Sequence, residues 1–112
     1  MENVTALPSK AAPQIAFTRP ELDRILSLYG RMVAAGLWRD YALTFGPRTA
    51  SFAGFRRTAE NPEARIVKDP ALRAKQGEWI LYGEGGIILK RGHELASILA
   101  PLERRLVKLV QS

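Results

Sequence analysis

The only histidine of the chain, His93, stands in the run ILKRGHEL, directly after Lys90, Arg91 and Gly92. Those residue types in that order fit two kinds of chemistry. If a helix begins near His93 or Glu94, its free amides and dipole beside Lys90 and Arg91 make a seat for a phosphate. In the other reading Gly92 makes a tight strand-to-helix turn, His93 caps the helix through its ring nitrogen, and Glu94 favours the first turn. Helix starts far outnumber anion sites, and the second reading is preferred.

A larger group is cationic. Arg56, Arg57, Arg65 and Lys68 fall on or beside two neighbouring strand-like segments, and Arg73 and Lys75 follow in the connection DPALRAKQG, where Asp69 is the only acid. If the two strands pair, these cations join in one basic stripe, with Trp79 or Tyr82 as a stacking surface; Lys90 and Arg91 extend the candidate nucleic-acid-binding set. The ordinary alternative is that charges at a strand end blunt an exposed edge and that Trp79 is core. For Trp38, just after a helix-ending glycine, packing is expected.

Catalytic and metal-binding chemistry finds little support. One histidine cannot build a histidine-rich metal site, and Asp40, Asp69, Glu78 and Glu84 are scattered, so no carboxylate cluster for a cation is expected. No GxSxG elbow occurs, and the absence of cysteine removes disulfides, thiolate zinc sites and cysteine nucleophiles. A non-enzyme without cofactor or metal is the expectation. The net charge of +6 permits polyanionic partners, and its excess is central, with ten cations against six acids over residues 37–92.

The elements that must hold these residues are legible in outline. The 112 residues suit one domain, with 46% hydrophobic and 25% charged residues in the ordinary globular range. Residues 1–14, with Pro8 and Pro13 and no apolar period, read as a mobile arm, and residues 15–112 as a single α+β domain. Thr18, Pro20 and Glu21 form a capping box that opens a helix. Leu22, Ile25, Leu26, Tyr29, Met32 and Val33 repeat along it, and Gly36 ends it.

From Leu37 the period shifts to two, placing Leu37, Arg39, Tyr41, Leu43 and Phe45 on one side of a strand. A return strand carries Phe52 and Phe55 across Gly54, a spacing that suggests a bulge bringing both rings to one face. ARIVK is a third strand, DPALRAKQG a connection with room for one helical turn, and EWILYGE and IILKR a hairpin about Gly85 and Gly86. The last helix carries Leu95, Ile98, Leu99, Leu102, Leu106 and Leu109 on one stripe and Ser97, Arg104, Arg105, Lys108 and Gln111 on a solvated face. Pro101 either kinks it or divides it in two. The expected architecture is helix, about five mostly antiparallel strands, helix, with both helices on one face of the sheet.

The pieces F-x-R-x-EL-x-x-IL-x-x-YGR-x-VAAG, WRDY, FRR, KQG and LKRGHEL occur in this order between Phe17 and Leu95. With them the chain resembles an uncharacterised, largely alphaproteobacterial family known as domain of unknown function 2794. The resemblance covers nearly the whole ordered chain and implies a small cytoplasmic protein, with no activity, ligand or site residue attached. Leu37 before Trp38 departs from the charged residue expected there. The apolar runs are too short to span a bilayer and no signal-peptide core opens the chain, so no membrane partner and a cytoplasmic location are expected. Two functions fit: a basic binding module engaging RNA or DNA through phosphates, or a protein-interaction accessory that docks on a partner or a second copy through the last helix or a sheet edge.

Overall fold

A computed structural model describes residues 13–58 and 60–111; the arm expected over residues 1–14 therefore lies, but for Pro13 and Gln14, outside the described residues. Helix α1 (Arg19–Ala34) begins where the capping box puts it. The Thr18 hydroxyl accepts from the Glu21 N–H, while the Glu21 carboxylate accepts from the Thr18 N–H at 2.8 Å. Its end is set by Gly36 at φ 77°. Ile25, Leu28 and Met32 are buried and Leu22, Leu26 and Tyr29 pack beside them, but Val33 is exposed. The apolar face is thus centred on Leu28, which the sequence stripe passed over; i, i+3 and i+7 spacing from Ile25 selects Leu28 and Met32.

Five strands follow: β1 (Asp40–Phe45), β2 (Ala50–Phe55), β3 (Ala64–Lys68), β4 (Trp79–Tyr82) and β5 (Ile88–Gly92). They form one antiparallel meander in which order in space repeats order in sequence. A 3-10 turn at Pro70–Leu72 and a second at Glu84–Gly86 occupy the last two connections, Gly85 and Gly86 being left-handed. The chain closes with α2 (Leu95–Gln111), continuous through Pro101. The proline removes an N–H that would bond the carbonyl of Ser97, an exposed residue, so the helix survives the loss.

Cross-strand partners share a face, and the register divides the sheet cleanly. Leu43, Phe52, Ile66 and Leu81 form one inward row, and Phe45, Ala50, Lys68 and Trp79 the next. Leu95, Ile98, Leu99, Leu102 and Leu106 of α2 join α1 on this face and complete the core. Phe17 stacks on Trp79 at 6.1 Å with the rings 6° from parallel. The expected bulge at Gly54 is absent. The β1–β2 and β2–β3 ladders run through it unbroken, Phe52 points inward, and Phe55, an odd number of residues on, lies on the other side.

Gly54 serves a different purpose: a Cβ there would stand 2.7 Å from the Trp38 ring, so glycine makes room for the buried indole. The ladder irregularity lies instead between β4 and β5, where Leu81 faces Lys90 and Tyr82 faces Ile88, leaving Leu89 unpaired in the register. Gly77, at φ 95°, brings the β3–β4 connection against the end of β5. A Cβ there would be 2.2 Å from the Gly92 carbonyl.

Candidate functional site

The outward rows are Ala42, Ala53, Arg65, Tyr82 and Ile88, and beside it Thr44, Ser51, Val67, Ile80 and Arg91. None of these belongs to the helix-packed core, so the helices leave this face of the sheet open; Ala53 and Ile80 are buried within it, and Arg65 and Ile88 are exposed. Small side chains on β1 and β2 give way to long ones on β3, β4 and β5. A shallow groove of about 590 Å³ follows, with Thr49, Asn61, Pro62, Arg65, Val67 and Tyr82 among its lining and Gly83, Gly85 and Gly86 at one end. Arg65 and Tyr82 are direct cross-strand partners. The Arg65 guanidinium is exposed and makes no ion pair or hydrogen bond among the described residues. Arg91, on β5 in the neighbouring outward row, is held by the Gln76 carboxamide and by no carboxylate among the described residues.

The other cations of the expected stripe are distributed differently. Strands β2 and β3 do pair, yet Lys68 stands three residues from Arg65 and therefore on the opposite face. It is buried beneath α1, its Nζ 2.8 Å from Glu21 and 3.3 Å from the Ala16 carbonyl oxygen, 5.8 Å above the Trp79 ring. It fastens the segment before α1 to the sheet. Burial pushes the Glu21 carboxyl up, but hydrogen bonds from Lys68 and Thr18 outweigh it and hold the group below its ordinary value. Trp79 is core and offers no stacking surface; Tyr82 lies on the open face beside Arg65.

Arg56 lies between Glu63 at 3.3 Å and Glu84 at 2.8 Å, Arg57 is 3.8 Å from Glu60, and Arg73 grips Glu78 at 3.0 Å. Their charge is matched locally. Lys75 is exposed in the connection beside Gln76 and makes no ion pair among the described residues. Lys90 belongs to the inward Leu81 row, so it and Arg91 point to opposite faces.

His93 does not cap α2. The Glu94 carbonyl accepts the first helical bonds, from Ser97 at 3.1 Å and Ile98 at 3.4 Å, while the imidazole is exposed and makes no hydrogen bond among the described residues. The turn before the helix is fixed by Gly77 lying against Gly92 and the His93 backbone nitrogen, not by a left-handed Gly92.

A polar centre that the sequence did not announce surrounds Glu63. This buried carboxylate accepts from Trp38 Nε1 at 2.7 Å and from both Arg105 terminal nitrogens, at 2.7 and 3.4 Å. Burial pushes its carboxyl up, but hydrogen bonds from Arg105 and Trp38 and the charges of Arg105 and Arg56 prevail, holding it below its ordinary value. Arg105, expected in a solvated row, thus joins α2 to the start of β3. The partners stand 25 and 42 residues away in sequence, so no local spacing could reveal them. Every oxygen of Glu63 is engaged, which makes it a clasp between α2 and the sheet. No group of three or more His, Asp or Glu side chains among the described residues is placed to hold a metal ion.

Comparison with known proteins gives a family and nothing narrower. The model of a family described as a protein of unknown function, DUF2794, matches residues 15–99. No curated protein and no solved structure matches the chain.

Proposed function

The chain belongs to the DUF2794 family of proteins of unknown function, and from that premise we propose that it is a cytoplasmic, non-enzymatic binding module whose open sheet face engages nucleic acid. One observation carries the reading: Arg65 and Tyr82 stand side by side on an uncovered face, the guanidinium without a carboxylate partner among the described residues. A ring and a free cation at neighbouring positions suit a base stacked against Tyr82 with its phosphate on Arg65. Arg91 on the same face offers a second phosphate contact. The net charge of +6 favours approach of a polyanion. Among the described residues no helix is long and apolar enough to cross a membrane.

Sequence-independent phosphate contacts give affinity that falls with salt, by a log–log slope of about −0.7 per phosphate on a single strand. Two contacts then predict a slope of about −1.4. Fluorescence anisotropy of the protein against short labelled RNA and duplex DNA, at low and near-physiological salt, measures it. Arg65→Glu should weaken binding by about tenfold or more, because it replaces an attraction by a repulsion. No binding at low salt, or an Arg65→Glu variant that binds as the parent does, sinks the proposal.

A further inference from the structure

We propose that the groove on the open face is a pocket for one unpaired base, which makes single-stranded nucleic acid the ligand and Asn61 the residue that holds the base edge. The pocket presupposes that this face binds nucleic acid, and it narrows a charged surface to a site with a ligand class.

The free charges on the face are too few to hold a duplex. Arg56, Arg57 and Arg73 are matched by carboxylates and Lys68 is buried beneath α1. That leaves Arg65 and Arg91 as the cations of the outward rows without a carboxylate partner among the described residues. Sequence-independent duplex binding draws its affinity from many phosphate contacts, and two supply little. The remainder has to come from bases, which in a duplex are paired and stacked inside and must be extruded before a side chain can cover them. On a single strand each base has a free π-face, and stacking on an aromatic ring supplies affinity whatever the sequence.

The groove offers what one base needs. Tyr82 is half-buried and stands between Arg65 on β3 and Ile88 on β5, so its ring is set between a cation and an exposed apolar side chain. At one end Gly83, Gly85 and Gly86 present main chain alone, and a Cβ on Gly85 or Gly86 would meet nothing within 4 Å, so that end is open to a planar ring. The volume of about 590 Å³ lies within the range of about 300–1,000 Å³ found for sites of small organic ligands.

Asn61, exposed in the loop before β3, lines the same groove, and its carboxamide makes no hydrogen bond among the described residues. A carboxamide carries a donor and an acceptor side by side, which the polar edge of a base can meet in return. No carboxylate is among the described residues that line the groove, and the nearby Glu84 is held by Arg56 at 2.8 Å, so a phosphate following the base finds Arg65 unopposed.

Fluorescence anisotropy at low salt tests this with three labelled probes of equal length: a single-stranded oligonucleotide, its duplex, and an abasic strand that keeps the phosphates and lacks the bases. Far-UV circular dichroism confirms that each variant is folded. The parent should bind the intact strand about tenfold tighter than the abasic one, and tighter than the duplex. Tyr82→Leu should erase the difference between intact and abasic strands, and Tyr82→Phe, which keeps the ring, should retain it. Asn61→Ala should shrink the difference by about threefold, the worth of a hydrogen bond; no change there would remove Asn61 from its role. An abasic strand or a duplex bound as tightly as the intact strand overturns the pocket, and so does a folded Tyr82→Leu variant that still tells intact from abasic. Where all three probes bind alike and Arg65→Glu weakens them all, phosphate binding by the face stands and the pocket alone falls. If no probe binds the parent, both fall.

Discussion

Replacing Glu63 by alanine removes one carboxylate and leaves three donors behind, with different consequences for each. Trp38 is 1% exposed, so its indole N–H loses its acceptor where no water reaches it. That orphaned donor costs about 1–3 kcal/mol. The Arg105 and Arg56 side chains are 39% and 50% exposed and regain water, so their share is that of partly exposed pairs, about 1 kcal/mol together. The sum is about 3 kcal/mol, or about 2 M in urea midpoint for a slope near 1.5 kcal/mol/M.

Glu63→Gln separates the two contributions. The amide oxygen still accepts from Trp38, so only the charge is lost and the cost should fall to about 1 kcal/mol. Urea unfolding of parent, Ala and Gln variants at neutral pH reads both. The pH dependence follows from the lowered carboxyl. A group whose folded pKa lies below its unfolded value, about 4.3, stabilises fully above that value and ceases to as pH falls through the folded pKa. The advantage of the parent over Glu63→Gln should accordingly shrink in acid below about pH 4. An alanine variant no less stable than the glutamine variant would refute the clasp, because the indole would then not need its acceptor.

Two further substitutions test the turn that leads into α2. Gly77→Ala must accommodate both a left-handed backbone and a Cβ 2.2 Å from the rigid Gly92 main chain. Thermal unfolding should show a loss of about 3 kcal/mol or more, and a near-neutral result would mean that the connection does not lie against the end of β5 as described. His93→Ala removes an exposed ring without a hydrogen bond among the described residues, so its stability should stay within about 0.5 kcal/mol of the parent; a larger drop measured by urea would restore a capping role.

What could be read from the sequence was local. Thr18 and Glu21 declare the start of α1 and Gly36 its end, each from residues beside that end, and the glycines Gly85 and Gly86 do the same for the hairpin of β4 and β5. The helix–strands–helix order followed from changes of period alone. The errors lie where a residue's meaning depends on a distant one. Gly54 is compact because of Trp38, which arrives from before β1, and was mistaken for a bulge. Arg105 reads as a solvated charge and Glu63 carries no signal of its own in the sequence; only the fold brings them together. Lys68 is a different case: strand alternation by itself separates it from Arg65, and grouping the two by charge overlooked their odd spacing. Of the candidate site, Arg65, Tyr82 and Arg91 share the open face, while Arg56, Arg57, Arg73 and Lys68 are bound to carboxylates nearby.

The identity between strand order in space and strand order along the chain also bears on how the protein is made. Each strand pairs with the one synthesised just before it, across connections no longer than residues 69–78, so every rung closes a short loop and loses little chain entropy. A ribosome can therefore deliver this sheet in its order of assembly, with no strand waiting for a distant mate. The contacts that must wait are those spanning the chain: Phe17 on Trp79, Arg31 on Glu103, and the grip of Arg105 on Glu63. The first needs β4 in place and the other two need α2 settled over the sheet, and contacts formed that late govern how slowly the finished protein comes apart rather than how fast it forms.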